Sequence, residues 1–304
     1  MKFKSASQIF LGVFFCTVLV SCSGQRASNK LTGSCQIRHG NGPVRVFYAG
    51  SLAEIFNGSL GPVFTATEGF QFQGYPGGSN ELANEMNSGL EVADVFISAA
   101  NSVQESLFNK KLPDETSFYL VFATDPLVIA YNPHSRYATD FKTRPWIQVI
   151  TSSNIQIGRT DPKLDPKGAL TIEMLQKADT YYRKQDLVSL AQTKFPEFPE
   201  ETLVGRLQSG QLDAAFLYLN EAVAAKLPYV KLNPLNFGAT YSLSIPKNAP
   251  DYAGALAFSE FLFQKAAISL FSKNGIILIN PPKLVRNNAY KTVPACITRL
   301  AING

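Results

Sequence analysis

Val46-Phe47-Tyr48-Ala49-Gly50-Ser51-Leu52 is the stretch on which the reading of the fold turns. It reads as a strand over residues 44–48 that breaks at Gly50 and turns directly into a helix beginning at Ser51. Ser51 and Glu54 stand three apart, in capping-box spacing, ahead of an apolar run. A helix N-terminus carries unpaired backbone N–H groups and a partial positive charge, which together suit an anion. A serine there has two uses: it caps its own helix, the common role, or it turns its hydroxyl to a ligand.

Outward from this turn, strands alternate with helices. A strand over 69–74 leads into Pro76-Gly77-Gly78-Ser79-Asn80, a glycine-rich turn into a helix over 81–88. Ala93-Asp94-Val95-Phe96-Ile97-Ser98 is a buried-type strand followed by a helix from residue 101. This order predicts a parallel sheet covered by helices, with both serine turns at the carboxyl ends of strands, where open α/β sheets bind ligands. A second unit follows, with strands over 127–131 and 155–158. Asp165-Pro166 is an N-cap and first-turn pattern for a helix running to about residue 184. A short helix over 201–209 ends at Gly210, and a strand over 213–219 precedes a helix over 221–226. A strand over 241–245 returns to the first unit, and an amphipathic helix over 252–272 stops at Asn274-Gly275.

The first residues read as a targeting signal. Lys2 and Lys4 precede an apolar run over 9–20, too short for a permanent membrane span. Leu19-Val20-Ser21-Cys22 resembles a bacterial lipobox, which implies cleavage before Cys22 and its acylation; a plain secretory signal is the alternative. Either places the mature protein outside the cytoplasm, and residues 22–42 read as a flexible tether. With Lys2 and Lys4 gone the net charge falls from +5 to +3, too weak and too evenly spread to argue for nucleic acid. About 280 residues remain, enough for one large or two modest domains. Of the four cysteines, Cys35 and Cys296 remain near opposite ends of the mature chain. Outside the cytoplasm they can pair, since domain termini often lie close together; two free thiols are the alternative. No Cys/His spacing suggests a metal site. A hydrolase would need a nucleophile with a positioned base. His39 falls in the tether, His134 follows Asn-Pro in a loop, and no G-x-S-x-G turn occurs.

The order and spacing of these stretches resemble the molybdate/tungstate-binding proteins of ABC importers. The matching pieces are Tyr48-Ala49-Gly50-Ser51-Leu52, Gly77-Gly78-Ser79, Ala93 to Ser98, Gly158-Arg159-Thr160-Asp161-Pro162, Leu164-Asp165-Pro166-Lys167-Gly168, Leu207 to Tyr218, and Ser244 to Pro250 with the final helix. The resemblance implies a two-lobed type II periplasmic-binding-protein fold. Each lobe is then a mainly parallel sheet flanked by helices, with the ligand held in the cleft between them. It implies lobe 1 from residues 43–124 and 246–304 and lobe 2 from 125–245, with crossovers near 123–126 and 241–245. It also implies an ABC permease as partner, no cofactor beyond the ligand, attachment through the N-terminal lipid, and a monomer without enzymatic activity.

The family's site carries over residue by residue. Ser51 and Ser79 are implied as hydroxyl donors to the oxyanion, Lys167 through its main-chain N–H, and Tyr218 through its hydroxyl. A second amide is implied near Glu200 or Glu201. These donors form a shell without a lysine or arginine charge. In the tungstate subgroup a glutamate precedes this tyrosine and bonds the metal together with an aspartate. Leu217 stands at that position, so at most one carboxylate, Asp165, is left. Asp165 is then expected to cap its own helix beside a tetrahedral, hydrogen-bonded oxyanion. Another anion, sulfate, phosphate or organic, is the competing ligand class; a ferric ion lacks its tyrosine pair or histidine cluster.

Overall fold

The computed structural model describes residues 40–108, 115–183, 186–289 and 293–303. The expected signal, tether, lipidation at Cys22 and pairing partner Cys35 lie outside them. Strands β1 (Pro43–Ala49), β2 (Gln71–Gly77) and β3 (Val95–Ser98) open the first lobe. β1 pairs in parallel with both β2 and β3. Side chains of alternate parity on β1 go to opposite faces, and both faces are covered. Val46 and Tyr48 join the large core with Phe56, Phe64 and Phe258. Phe47 packs with Phe96, Leu82, Met86 and Val103 on the other side. Two covered faces explain the nearly continuous apolar runs of these strands.

β4 (Phe118–Tyr131) is the element common to both lobes. β5 (Ile157–Gly158), β6 (Ala214–Tyr218) and β7 (Tyr229–Lys231) follow, then β8 (Gly238–Ser244) and β9 (Ile277–Arg286). The first part of β4 pairs antiparallel with β8 and β9, whereas residues 127–131 pair with β6 and residues 128–130 with β7. β8 then continues to β3, also antiparallel. The chain therefore passes between lobes along β4 and returns beside it. Leu127 N donates to Phe237 O at 2.8 Å, and Gly238 lies opposite Pro126.

Two helices depart from the expected form. The one after β1 starts as a 3-10 turn, Gly50–Leu52, and widens over Phe56–Leu60, where Gly61 N bonds Phe56 O five residues back. Pro62, which has no N–H to donate, falls at the start of the next helix, Gly61–Glu68. The amphipathic stretch near the C-terminus is two helices, Tyr252–Phe261 and Lys265–Lys273, not one. β9 was not anticipated from the sequence. Among the described residues, no helix is long and apolar enough to cross a membrane.

Candidate functional site

Register brings the two serine turns together. Ala49 of β1 lies opposite Gly77 of β2, so Ser51 and Ser79 each follow a paired residue by two positions. Both are buried. The capping-box reading of Ser51 does not hold. The 3-10 turn takes Ala49 as its N-cap with no side-chain cap bond, and Ser51 lies already inside it. Its Oγ instead pairs with Tyr241 Oη at 2.9 Å, on β8. Ser79 is the first residue of the Ser79–Asn87 helix, after Gly78. Its Oγ accepts from Ala99 N at 3.1 Å, tying the glycine turn to the end of β3. Accepting that bond leaves the hydroxyl hydrogen to donate.

The second lobe presents Asp165, Lys167 and Tyr218. Asp165 caps the Pro166–Tyr182 helix, its Oδ1 accepting from Lys167 N at 2.9 Å. That bond is the cap expected of Asp165, and it occupies the Lys167 N–H that the resemblance also offers to the oxyanion. The lysine also brings its side chain. Lys167 Nζ, fully buried, lies 2.8 and 2.9 Å from the Glu221 carboxylate oxygens, 3.1 Å from Glu200 Oε1, and 5.3 Å over the Tyr218 ring. The expected shell without lysine charge, with Asp165 as sole carboxylate, is therefore not what the cleft contains. Glu200 begins the Glu200–Gln208 helix, and Glu221 lies in the first turn of the Leu219–Ala224 helix, its Oε2 accepting from Tyr218 N at 2.8 Å. Three helix starts thus converge on one ammonium.

Burial dominates the electrostatics. It pushes the Lys167 ammonium down, but Glu221, Glu200 and Asp165 outweigh it and hold the group above the usual lysine range. Burial, then the neighbouring Asp165 charge, push the Glu200 carboxyl up to about 7 against the pull of Lys167. Burial also raises Asp165 and Glu221, which Lys167 opposes in both. Tyr218 Oη is buried without a hydrogen-bond partner, whereas Glu200 has Lys167 Nζ and the Gly50 N–H beside it and Asp165 has Thr160. Buried polar atoms almost always find a partner, so the Tyr218 hydroxyl marks where a ligand oxygen belongs.

The lobes meet around this cluster. Asn220 Nδ2 donates to Ser51 O at 2.6 Å, and Asn220 N lies 3.3 Å from Asp125 Oδ1 on β4. Glu81 N donates to Leu164 O at 3.2 Å, and Asn80 Nδ2 to Lys163 O at 3.1 Å. A Cβ on Gly50 would stand 2.8 Å from Glu200 Oε2, and one on Gly78 2.5 Å from Leu164 O. A cavity of about 380 Å³, lined by Gly50, Ser51, Glu200 and Glu221, opens on one side. One of about 300 Å³, lined by Gly78, Thr160, Asp165 and Glu200, opens on the other. Glu200 belongs to the walls of both. His134 plays no part, its N–H bonding Asn132 Oδ1 in the turn after β4. No group of three or more metal-ligating side chains forms a cation site among the described residues.

A family model described as bacterial extracellular solute-binding protein matches residues 44–277. A Petrotoga mobilis protein, named an uncharacterized solute-binding protein, is 29% identical over 80% of this chain and 85% of its own. The molybdate/tungstate-binding protein WtpA of Thermococcus kodakarensis is 25% identical, covering 78% of this chain and 82% of its own. Among solved structures, the Azotobacter vinelandii periplasmic molybdate-binding protein superposes with a TM-score of 0.63 at 20% identity. That match covers 78% of this chain and 99% of that one. It bears out the two-lobed periplasmic-binding-protein architecture.

Proposed function

Since the chain belongs to the family of bacterial extracellular solute-binding proteins, we propose that it binds molybdate or tungstate between its lobes and delivers it to an ABC permease. The observation that carries this reading is the side-by-side register of the two serine turns. Ser51 has its hydroxyl turned off its own helix, and the second lobe offers the unpartnered Tyr218 hydroxyl. Neutral hydroxyls held by backbone register give a buried oxyanion short, fixed donors. Asp165 keeps its helix end in order, and Lys167 supplies positive charge through its side chain. The name of the Thermococcus relative supports the choice of anion. The same reading makes the protein a monomeric carrier rather than an enzyme, tethered to the membrane through an acylated Cys22.

A second reading, a carrier of hydrogen phosphate, is favoured by one observation. The carboxylate oxygens of Asp165 and Glu200 are acceptors in the cleft, and a protonated oxyanion has a proton to give them. Thermal shift separates the two. A ligand that binds only the folded state raises its melting temperature by mass action. Molybdate and tungstate are expected to raise it, with phosphate and sulfate leaving it unchanged. A shift with phosphate alone would overturn the first reading in favour of the second.

A further inference from the structure

Glu200 is a fully buried acid that lines both interlobe cavities. Its carboxylate packs so close to Gly50 of the first lobe that a Cβ there would stand 2.8 Å from Oε2. It has one ionic neighbour, Lys167 Nζ at 3.1 Å, and that ammonium is already held by both oxygens of Glu221 at 2.8 and 2.9 Å. That ammonium and the Gly50 N–H lie beside the Glu200 carboxylate, and its side chain is 1% exposed.

The charges facing Glu200 do not balance. Among the described residues, Lys167 is the one cation in direct contact with Glu200, against the carboxylates of Glu200, Glu221 and Asp165, with Asp125 behind Tyr218 and Tyr241 on the hinge strands. Glu54 and Lys226 line the first cavity, and Glu81, Asp161 and Glu197 the second. On the first-lobe side it faces the Gly50 N–H, and on its own helix Glu201 lines the same two cavities. A dianion entering this space adds two negative charges to a site that already holds more acid than base. Burial without compensation makes a group take a proton rather than stay charged.

We propose that the site takes up its oxyanion together with one proton, carried on Glu200, so that this side chain meets the ligand as a hydrogen-bond donor. The inference rests on the oxyanion reading above. The proton comes from solvent and ends on a Glu200 oxygen; nothing is oxidised or reduced, and the charge entering the cleft is −1 rather than −2. Lys167 then remains paired with Glu221 in full. The carboxyl is already held near neutrality, so the proton is available at ordinary pH. Glu200 thereby sets specificity: it favours anions that accept a hydrogen bond at that position.

The test is calorimetry of the mature protein with molybdate and with tungstate, in buffers of different ionisation enthalpy. Uptake of close to one proton per anion is expected at pH 8, falling towards zero near pH 5.5. Above neutrality the dissociation constant should rise about tenfold per pH unit, the slope of a one-proton linkage. Glu200→Gln keeps a neutral donor in place, so it should bind with no proton uptake and lose the pH slope. Anion binding by the wild-type protein without proton uptake overturns the inference and leaves the oxyanion reading standing. So does wild-type uptake retained in Glu200→Gln. Absence of binding by either anion overturns both. The wild-type measurement does not depend on the variant folding.

Discussion

The Tyr218 hydroxyl is buried without a partner, while Ser51 and Tyr241 satisfy each other. These two situations predict different costs. Tyr218→Phe removes an orphaned polar group, so the unliganded protein should be as stable as wild type or slightly more so. Its affinity for molybdate should fall roughly ten- to hundredfold, since one hydrogen bond to a charged group is worth about 1.5–3 kcal/mol. Ser51→Ala should lose affinity to the same degree and also lower the melting temperature, because Tyr241 then loses its buried partner. Calorimetry with a melting curve for each variant checks both; unchanged affinity in the pair would move the site elsewhere. The places of Ser51, Ser79, Asp165, Lys167 and Tyr218 at strand ends and helix starts were legible in the sequence, and their expected ligand roles came from the family resemblance. Near Glu200 the resemblance implied only a main-chain amide, and neither the Glu200 nor the Glu221 carboxylate was legible as a neighbour of Lys167. An acid in the first turn of a helix is ordinary wherever it occurs. Only the tertiary fold shows three such turns meeting on one lysine. The Asp-Pro cap that marks the helix also engages the Lys167 N–H.

At the scale of elements, the interlobe contact is made by backbone as much as by side chains. Gly78 has φ −60°, which any residue adopts, so its role is space. A Cβ there would meet the Leu164 carbonyl of the opposite lobe at 2.5 Å. Gly78→Ala should therefore leave each lobe folded and hinder their approach. Near-wild-type circular dichroism is expected, with a weaker molybdate affinity and a larger radius of gyration by X-ray scattering in the presence of ligand. A variant that compacts normally would show that the opposing carbonyl yields. Most of the strand and helix order was readable from periodicity and turn residues. β9 was hidden because Asn280-Pro281-Pro282 reads as a breaker. The strand accommodates it by a register irregularity: between Leu278 and Lys283 the partner strand advances only from Ala123 to Val121, so residues 279–282 fall outside the ladder.

For the molecule as a whole, the two ends of the mature chain matter together. Cys296, on the Ala295–Asn303 helix, is disulfide-bonded. With Cys16 expected in a cleaved signal and Cys22 expected to carry lipid, Cys35 is the expected partner. Peptide mapping without reduction should recover Cys35 linked to Cys296, and a different partner for Cys296 would overturn the pairing. Reduction should lower stability by about 2–5 kcal/mol, the usual cost of losing such a bridge. The passage of β4 between lobes has a consequence for the timing of assembly. The second lobe's pairings, from residue 127 of β4 through β5, β6 and β7, lie within one continuous stretch of chain. The first lobe begins earlier yet waits for β8 and β9 to complete its sheet. A nascent chain emerging N-terminus first can close the later lobe before the earlier one. Tyr241, the partner of Ser51, arrives only with β8. Until then there is no cleft to fill, so cargo loading belongs to the finished molecule and not to the chain in transit.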